Sequence, residues 1–432
     1  MKASQGSILV GLLWCLALLS VVVIGVLHTA RMDLLVVKNY NDRLQAHYLA
    51  LAGVERAKAL LYHDYITRRQ TAKNHTGSLY DDAKDFEDAT FGRGHFRVFH
   101  RGDSGLVYGV SDEESRLNVN LATADQLTNF DGLTPDIAAS IVAWRSDANQ
   151  GTNGGAEADY YQNLKPPYLP RNGPFQTVRE LLMVRGVTRE NLLGGSVNQI
   201  DSRDSGAGQD DSSVALEGGW SALMTVNSTG KDLNAAGQQR VNVQTADQAA
   251  LTGVQGISSD IARAIISYRG QNQFQSIANL LDVTAPTNNA SQQGNANNTT
   301  SSQPVIDDQL FMQIADDVTI GDGTDLAGLI NVNSAGLDVL MCLPGVDRIL
   351  AQSIITLRQS NGYFDNIGGL LKVPGMTHDL FKQIAAHVTA RSETFRVTSE
   401  GKITSSGASQ RIQAIVHIGS HEATTLAYRE DL

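Results

Sequence analysis

Few residues in this chain have types and spacings that could perform chemistry. The acidic run DDAKDFED, residues 81–88, could ligate calcium through Asp81, Asp82 and Asp85, because this cation prefers carboxylate oxygens. The run lacks the glycine and terminal glutamate of an EF-hand loop, so a solvated charged face is the simpler interpretation. The histidines are scattered, and the sequence holds no HExxH, GxSxG or GxxxxGK[ST] motif. We therefore predict no catalytic centre.

The charge balance disfavours a protein that binds nucleic acid. The chain has 45 acidic and 34 basic residues and a net charge of −11, whereas a protein that neutralises phosphates usually has a basic surface. Its 432 residues indicate two or three globular units. Cys15 lies in an apolar segment, so we predict that it and Cys342 are unpaired, and no Cys/His spacing suggests a metal site.

The N-terminal segment predicts a membrane-spanning helix. No formal charge occurs between Ile8 and Leu27, and at about 1.5 Å per residue such a run is long enough for the hydrocarbon core. The polar leader MKASQG before it ends in glycine. In residues 34–61 apolar side chains recur at spacings of three and four, which indicates that an amphipathic helix continues the apolar one. A plain single-pass anchor is the alternative.

A unit repeated three times fills the middle of the chain. Each copy has an Asn-Val pair, then a glycine, an arginine, a phenylalanine and a Leu-Leu pair in the same order. The first asparagines are Asn118, Asn242 and Asn331; the glycines are Gly132, Gly256 and Gly345; the arginines are Arg145, Arg269 and Arg358. We place the copies at 116–195, 239–285 and 328–391, joined by flexible, low-complexity linkers at 201–219 and 284–304.

The repeated residues have mechanical roles in this interpretation. Thr123, Thr245 and Ser334 are expected to cap the first helix of their copies, and the glycines to permit a positive φ in the hairpin. The arginines are expected to cover apolar surface and to bond the last carbonyls of their helix.

The repeat resembles a helix-hairpin-helix unit, which in its DNA-binding version carries a second glycine in the hairpin. That glycine is replaced by Thr134, Ser258 and Asp347 in the first hairpins, and by Thr188 and Thr377 in the second. Asp347 would repel a phosphate. We therefore expect the repeats to pack on each other and on partner proteins, and not on nucleic acid.

Strand-like segments lie on both sides of the repeats. GHFRVFHRGDSGLVYGVSD, residues 94–112, has two alternating runs around a turn, and similar runs occur at 393–407 and 411–420. This layout predicts a sheet interrupted by a large insertion.

The leader, the apolar helix and its amphipathic continuation resemble a type IV pilin-like precursor. In that family a prepilin peptidase cuts after the leader glycine, here between Gly6 and Ser7, and methylates the new N-terminus. Most members carry a glutamate five residues into the mature chain, where this sequence has Gly11. The large K-type minor pseudopilin of the type II secretion system also lacks it, and 48–61 and 111–120 are similar to that family's pattern.

The resemblance implies an α+β fold: a long N-terminal helix on an antiparallel sheet, with an inserted all-α domain of helix-hairpin-helix (SAM-like) repeats. It divides the chain into leader 1–6, helix 7–63, pilin-like domain 64–115 and 392–432, and insertion 116–391. It allows a structural calcium ion as the only cofactor. The residues expected to meet other pilin-like helices are Leu9, Gly11, Leu12, Leu13, Leu16, Val21 and Val22.

The implied function is to cap the tip of the periplasmic pseudopilus during protein export. Its partners would be the other minor pseudopilins, the major pseudopilin, the prepilin peptidase, and the secretin or cargo. The implied location is the bacterial inner membrane, with the N-terminus cytoplasmic and the C-terminal domain periplasmic. Two alternatives stay open: a membrane-anchored helix-hairpin-helix receptor for DNA, and a minor pilin of a type IV pilus.

Overall fold

The fold is described from a computed structural model of the chain. The structure describes residues 5–71, 80–102, 105–147, 155, 158–194, 218–285, 304–321, 323 and 325–430, and for residues 5–8 the backbone alone. Cys15 is exposed and Cys342 is buried, and both are free thiols.

A continuous helix, α1 (Gln5–Thr71), begins the described chain. Its second half packs on an antiparallel sheet in the strand order β1-β2-β13-β14-β15, with β3 beside β2 and β4 beside β13. The strands are β1 (Ala89–Phe91), β2 (Gly94–Gly102), β3 (Gly105–Tyr108), β4 (Ser111–Asp112), β13 (Thr394–Ile403), β14 (Ser409–Ile418) and β15 (Ala423–Arg429). A short helix, α2 (Ala83–Phe86), precedes β1.

Small residues let α1 approach the sheet closely. Ala46, Ala50 and Ala57 are fully buried on the sheet side of the helix. A Cβ added to Gly401 of β13 would lie 2.1 Å from the Ala46 carbonyl oxygen. Larger side chains on either surface would force the two apart, because protein interiors are close-packed.

The three repeats are built alike. Each begins and ends with a two-residue strand, and these two strands pair in parallel. The first repeat holds β5 (Leu117–Asn118), α3 (Ala124–Thr128), α4 (Pro135–Arg145), α5 (Ala158–Gln162), a 3-10 helix (Val178–Met183), α6 (Arg189–Leu193), α7 (Gly219–Leu223) and β6 (Met224–Thr225).

The second and third repeats follow the same order. The second holds β8 (Val241–Asn242), α8 (Gln248–Thr252), α9 (Ser259–Arg269), a 3-10 helix (Ile277–Asp282), α10 (Asp308–Ile314) and β9 (Val318–Thr319). The third holds β11 (Ile330–Asn331), α11 (Leu337–Leu340), α12 (Arg348–Asn361), a 3-10 helix (Ile367–Lys372), α13 (His378–Ile384) and β12 (Val388–Thr389). Strands β7 (Thr229–Lys231) and β10 (Asp325–Ala327) form a separate antiparallel pair.

The closing strands place the ends of the first two repeats beyond the limits expected from the sequence. The first repeat closes at Thr225 and the second at Thr319. The low-complexity stretches 201–219 and 284–304 thus fall within these repeats in sequence and not between them. Most of each stretch lies outside the described residues, so its expected flexibility stays a prediction.

The helix caps differ from expectation in two of the three repeats. Thr123 caps α3 and forms a capping box with Gln126. The expectation for Thr245 and Ser334 was wrong, because α8 is capped by Asp247 and α11 begins after Gly336. In all three repeats the first asparagine accepts a bond from the amide two residues on, and the helix begins after the fifth residue beyond that asparagine, which is Thr123, Asp247 or Gly336.

The second and third repeats bury the same face against each other. The Phe311 and Phe381 rings, on α10 and α13, are 5.5 Å apart between centroids. His378 lies 2.8 Å from Asp308, and Lys382 lies 2.6 Å from Asp282. The two repeats thus form a pair with like positions in contact.

In the first repeat an inserted helix supplies packing of its own. Tyr161 of α5 is fully buried, with its ring 5.2 Å from that of Trp144 on α4. Tyr168, which follows α5, donates to the Met183 carbonyl at 2.8 Å.

Candidate functional site

The N-terminal half of α1 is an apolar surface without packing partners in the described structure. The six apolar residues expected to meet other helices are each more than half exposed, and open space surrounds Gly11: these are Leu9, Leu12, Leu13, Leu16, Val21 and Val22. Burial on the sheet starts near Ala46. Among the described residues, this helix is the one long and apolar enough to cross a membrane.

Two hydroxyl groups on this half of α1 form hydrogen bonds within the helix. Ser20 donates to the Leu16 carbonyl at 2.8 Å, and Thr29 donates to the Gly25 carbonyl at 3.0 Å. Such bonds let hydroxyl groups enter an apolar environment at low cost. Gly6 and Ser7 lie in the first turn of α1. Cleavage between them stays a prediction.

The hairpin glycines adopt the backbone conformation that their role requires. The φ angles of Gly132, Gly256 and Gly345 are 74°, 106° and 71°, in the region that favours glycine. Gly132 faces open space, whereas a Cβ on Gly256 would lie 2.9 Å from Leu310.

The residues that replace the second hairpin glycine are helix caps. Each accepts a bond from the amide three residues on: Thr134 from Ile137 at 3.4 Å, Ser258 from Ile261 at 3.3 Å and Asp347 from Leu350 at 2.8 Å. In the second hairpins, Thr188 and Thr377 do the same for α6 and α13. These side chains occupy amides at the helix N-termini that a phosphate would otherwise contact.

The repeated arginines donate hydrogen bonds to backbone carbonyls within their own repeat. Arg269 donates to the Val243 carbonyl at 3.0 Å and Arg358 to the Val332 carbonyl at 2.7 Å, and Arg145 bonds the Val119 carbonyl. We expected bonds to the last carbonyls of the helix, and this detail was wrong. The arginine instead reaches the valine that follows the opening asparagine, so each repeat is tied from its second helix to its start.

A buried polar junction between the sheet and the repeats was not foreseen in the sequence. Asp112 of β4 accepts bonds from Asn331 at 3.0 Å and from Ser392 at 2.6 Å, and also from Ser334. Its other oxygen accepts from the Glu114 amide at 2.8 Å. In the sequence this junction corresponds to the run SDEESR, residues 111–116, whose charged side chains give no sign of burial.

Two further carboxylates complete this junction. Glu113 is fully buried and lies 3.0 Å from Arg116 and 2.6 Å from Arg396, an ion-pair network between the start of the first repeat and β13 of the sheet. Burial, with Asp112 nearby, raises the pKa of Glu114 well above its ordinary value. A neighbouring network at the second repeat behaves differently: burial alone would raise the pKa of Asp316, but Arg391 and Arg240 lower it.

The suggested calcium ligands do not converge. Asp81 lies 2.7 Å from the His100 ring, Asp82 caps α2, and Asp85 pairs with Arg56 at 2.6 Å. The described residues contain no group of three or more acidic, histidine or cysteine side chains that could hold a metal ion. These three aspartates therefore do not fit a calcium site.

Two family models match parts of the chain. Residues 236–293 and 327–389 match the helix-hairpin-helix motif, over the second and third repeats. Residues 111–193 match the type II secretion system (T2SS), protein K. This second match begins at the buried junction and continues to the end of α6.

Curated relatives share shorter stretches. The Endonuclease/exonuclease/phosphatase family domain-containing protein 1 of Xenopus laevis is 26% identical over 171 residues, covering 39% of this chain and 24% of its own length. The ComE operon protein 1 of Bacillus subtilis (strain 168) is 35% identical over 63 residues, covering 15% of this chain and 31% of its own length. The chain thus spans about a quarter to a third of these relatives.

One solved structure aligns with most of the chain. The crystal structure of the GspK-GspI-GspJ complex from the enterotoxigenic Escherichia coli Type 2 Secretion System matches 90% of this chain and 98% of its own chain, at 12% identity and a TM-score of 0.44. By its sequence, the segment that holds the junction and most of the first repeat, residues 111–193, is similar to the protein K family of the type II secretion system.

Proposed function

We propose that this chain is a minor pseudopilin that caps the tip of the periplasmic pseudopilus during protein export. The observation that carries the proposal is the protein K match at 111–193, the segment that joins the sheet to the repeats. The role is structural and not enzymatic: α1 assembles with other helices, and the repeats present a broad surface above them.

The exposed apolar half of α1 supports assembly into a fibre. Such a surface is stable in a bilayer or against other apolar helices, and not in water. Before assembly the helix would lie in the bacterial inner membrane, with the leader cytoplasmic and the remainder periplasmic. Its partners would be the other minor pseudopilins, the major pseudopilin and the prepilin peptidase, and the secretin or cargo would meet the repeats.

Gly11 suits a position at the tip. In pilin-like fibres the usual glutamate there neutralises the N-terminal amine of the subunit already in place, a charge that is costly in an apolar environment. A subunit that starts the fibre has no such neighbour and needs no carboxylate.

Processing at the N-terminus tests the proposal. We would measure the intact mass of the membrane-extracted protein with and without the prepilin peptidase, and repeat this for Gly6→Leu and Gly11→Ala. A methylated chain that begins at Ser7, seen only with the peptidase and lost in Gly6→Leu alone, is the expected result. A chain that keeps Met1–Gly6 in every case would make α1 a plain anchor.

A DNA-binding assay distinguishes the proposed function from the main alternative, a membrane-anchored helix-hairpin-helix receptor for DNA. A receptor should bind duplex DNA with an affinity that falls steeply with salt, as phosphate contacts require. We expect no such binding, because the hairpin amides are capped and the repeated arginines bond carbonyls within each repeat. A type IV pilus minor pilin would share the processing and differ in the pilin-like proteins that co-purify.

A further inference from the structure

The first repeat has an exposed apolar face. We define the first-repeat face by Tyr160, Leu169, Leu182 and Met183, whose side chains are 39%, 62%, 40% and 42% exposed. The Tyr168 hydroxyl bonds the Met183 carbonyl, which brings the segment holding Leu169 beside the 3-10 helix that holds Leu182 and Met183. Apolar side chains grouped in this way on a soluble domain mark an interaction site.

The same position is covered in the other repeats. Seven residues after the repeated phenylalanine come Leu182, Leu281 and Leu371. Leu281 is 3% exposed and Leu371 is partly buried, since the second and third repeats pair. The first repeat therefore exposes a position that the second repeat buries and the third repeat partly buries.

A second copy of the chain does not fit this face in the manner of that pair. Arg179 stands where the third repeat has Gly368, and a Cβ on Gly368 would already lie 3.0 Å from the Cα of Met312. Arg189 stands where the pair has Asp308 facing His378. Two copies would bring Arg189 against Arg189, and like charges in contact repel.

The charges beside the face indicate an acidic occupant. Arg185 lies over the Tyr160 ring at 5.5 Å, and Arg189 is exposed. No carboxylate among the described residues pairs with either arginine. Segment 158–193 carries five cations and three carboxylates, in a chain whose net charge is −11, and Glu180 is already paired with Arg171.

We propose that the first-repeat face binds an acidic segment of a partner protein that presents aliphatic or aromatic side chains together with carboxylates. The apolar side chains would cover Leu182 and Met183, and the carboxylates would pair with Arg185 and Arg189. Within the chain, α10 with its cap combines apolar side chains with Asp307 and Asp308, and it packs on the 3-10 helix of the third repeat, where Asn366 donates to the Met312 carbonyl at 2.8 Å. This proposal does not depend on the function proposed above.

A defined peptide serves as the probe. The labelled peptide PVIDDQLFMQIADD, with the sequence of residues 304–317, would be titrated with the full chain in detergent micelles and followed by fluorescence anisotropy. A second peptide has its four aspartates replaced by asparagine. The variants are Arg185→Glu with Arg189→Glu, and Leu182→Ser with Met183→Ser. Arg348→Glu with Ile349→Ser is the control, since both residues are exposed on α12.

We expect the acidic peptide to bind the wild-type chain and the control variant equally. Both test variants, and the asparagine peptide, should weaken binding by about tenfold or more. Equal binding of both peptides, or binding that survives both variants, would overturn the proposal, as would no anisotropy change at millimolar chain. Dimers of the wild-type chain that Leu182→Ser with Met183→Ser converts to monomers would assign the face to a second copy instead. None of these outcomes depends on N-terminal processing.

Discussion

Replacing Asp112 by asparagine should loosen the connection between the sheet and the repeats. One carboxylate oxygen accepts from Asn331, Ser392 and Ser334, and the other from the Glu114 amide. An asparagine keeps the shape but turns one oxygen into a donor. In either orientation of the amide, a donor then meets a donor.

The cost can be worked out from these contacts. The two serine hydroxyls can rotate to accept a bond. The Asn331 amide nitrogen cannot, and the oxygen of that side chain already accepts from the Asn333 amide at 3.0 Å. A bond to a charged group contributes about 1.5–3 kcal/mol, and an unsatisfied buried donor costs about 1–3 kcal/mol. We therefore expect a loss of about 3 kcal/mol in the free energy of unfolding, or a fall in Tm of roughly 3 °C for a chain of this length.

The assay is thermal unfolding of the full chain in detergent, with hydrogen exchange read separately in the sheet and in the third repeat. Asp347→Asn is the matched control: that aspartate is exposed and caps α12, and asparagine caps about as well. Faster exchange in β4 and β11 should accompany the loss in Asp112→Asn. If Asp112→Asn unfolds within about 1 °C of the control, the junction does not hold the sheet and the repeats together as argued.

Three further predictions test other parts of the structure. Glu114→Gln should raise the free energy of unfolding at neutral pH, because burial raises the pKa of Glu114 and its ionisation opposes folding. Urea midpoints should show this gain disappearing as the pH falls below about 4, under the ordinary pKa of a glutamate, where the carboxyl is mostly protonated in both states. Arg269→Met should lower the free energy of unfolding by about 2 kcal/mol, because it removes the bond to the Val243 carbonyl. Arg263→Met on the same helix removes only an exposed ion pair, so in the same urea assay it should lower this free energy by less than about 0.5 kcal/mol. Gly132→Ala should lower the free energy of unfolding by about 1 kcal/mol, because the backbone there has a positive φ. Gly256→Ala should lower it by more, because its methyl group would also overlap Leu310 on α10. Equal losses of the two variants in calorimetry would refute the overlap.

Features set by short-range spacing could be predicted from the sequence. The repeat, its hairpin glycines and the long apolar helix each depend on residues a few positions apart, so the pattern alone reveals them. The strand-like segments on either side of the repeats predicted an interrupted sheet, and the resemblance to pilin-like proteins implied the α+β fold. The cap at Thr123 was found for the same reason.

Features that depend on distant contacts could not be predicted. Strand β5 pairs with β6 across about a hundred residues, and no local pattern marks a two-residue strand. Thr245 and Ser334 look like caps, but they lie in the turn that follows the first asparagine, and the caps come two residues later at Asp247 and Gly336. The bonds of Asp112 reach β11 and the start of β13, and a run of acidic residues gives no sign that it is buried.

The junction also bears on how a cap would work. A fibre that grows from the membrane pushes each subunit along α1, and a cap must transmit that displacement to the domain above. Here α1 packs on β13, and β13 is tied to the repeats through Arg396 and Glu113. The end of α1 also reaches the loop that precedes the second repeat, where Arg69 donates to the Gly237 carbonyl at 3.0 Å. Breaking a buried ion pair costs about 3–5 kcal/mol, so the repeats should move with the helix and not swing on a linker.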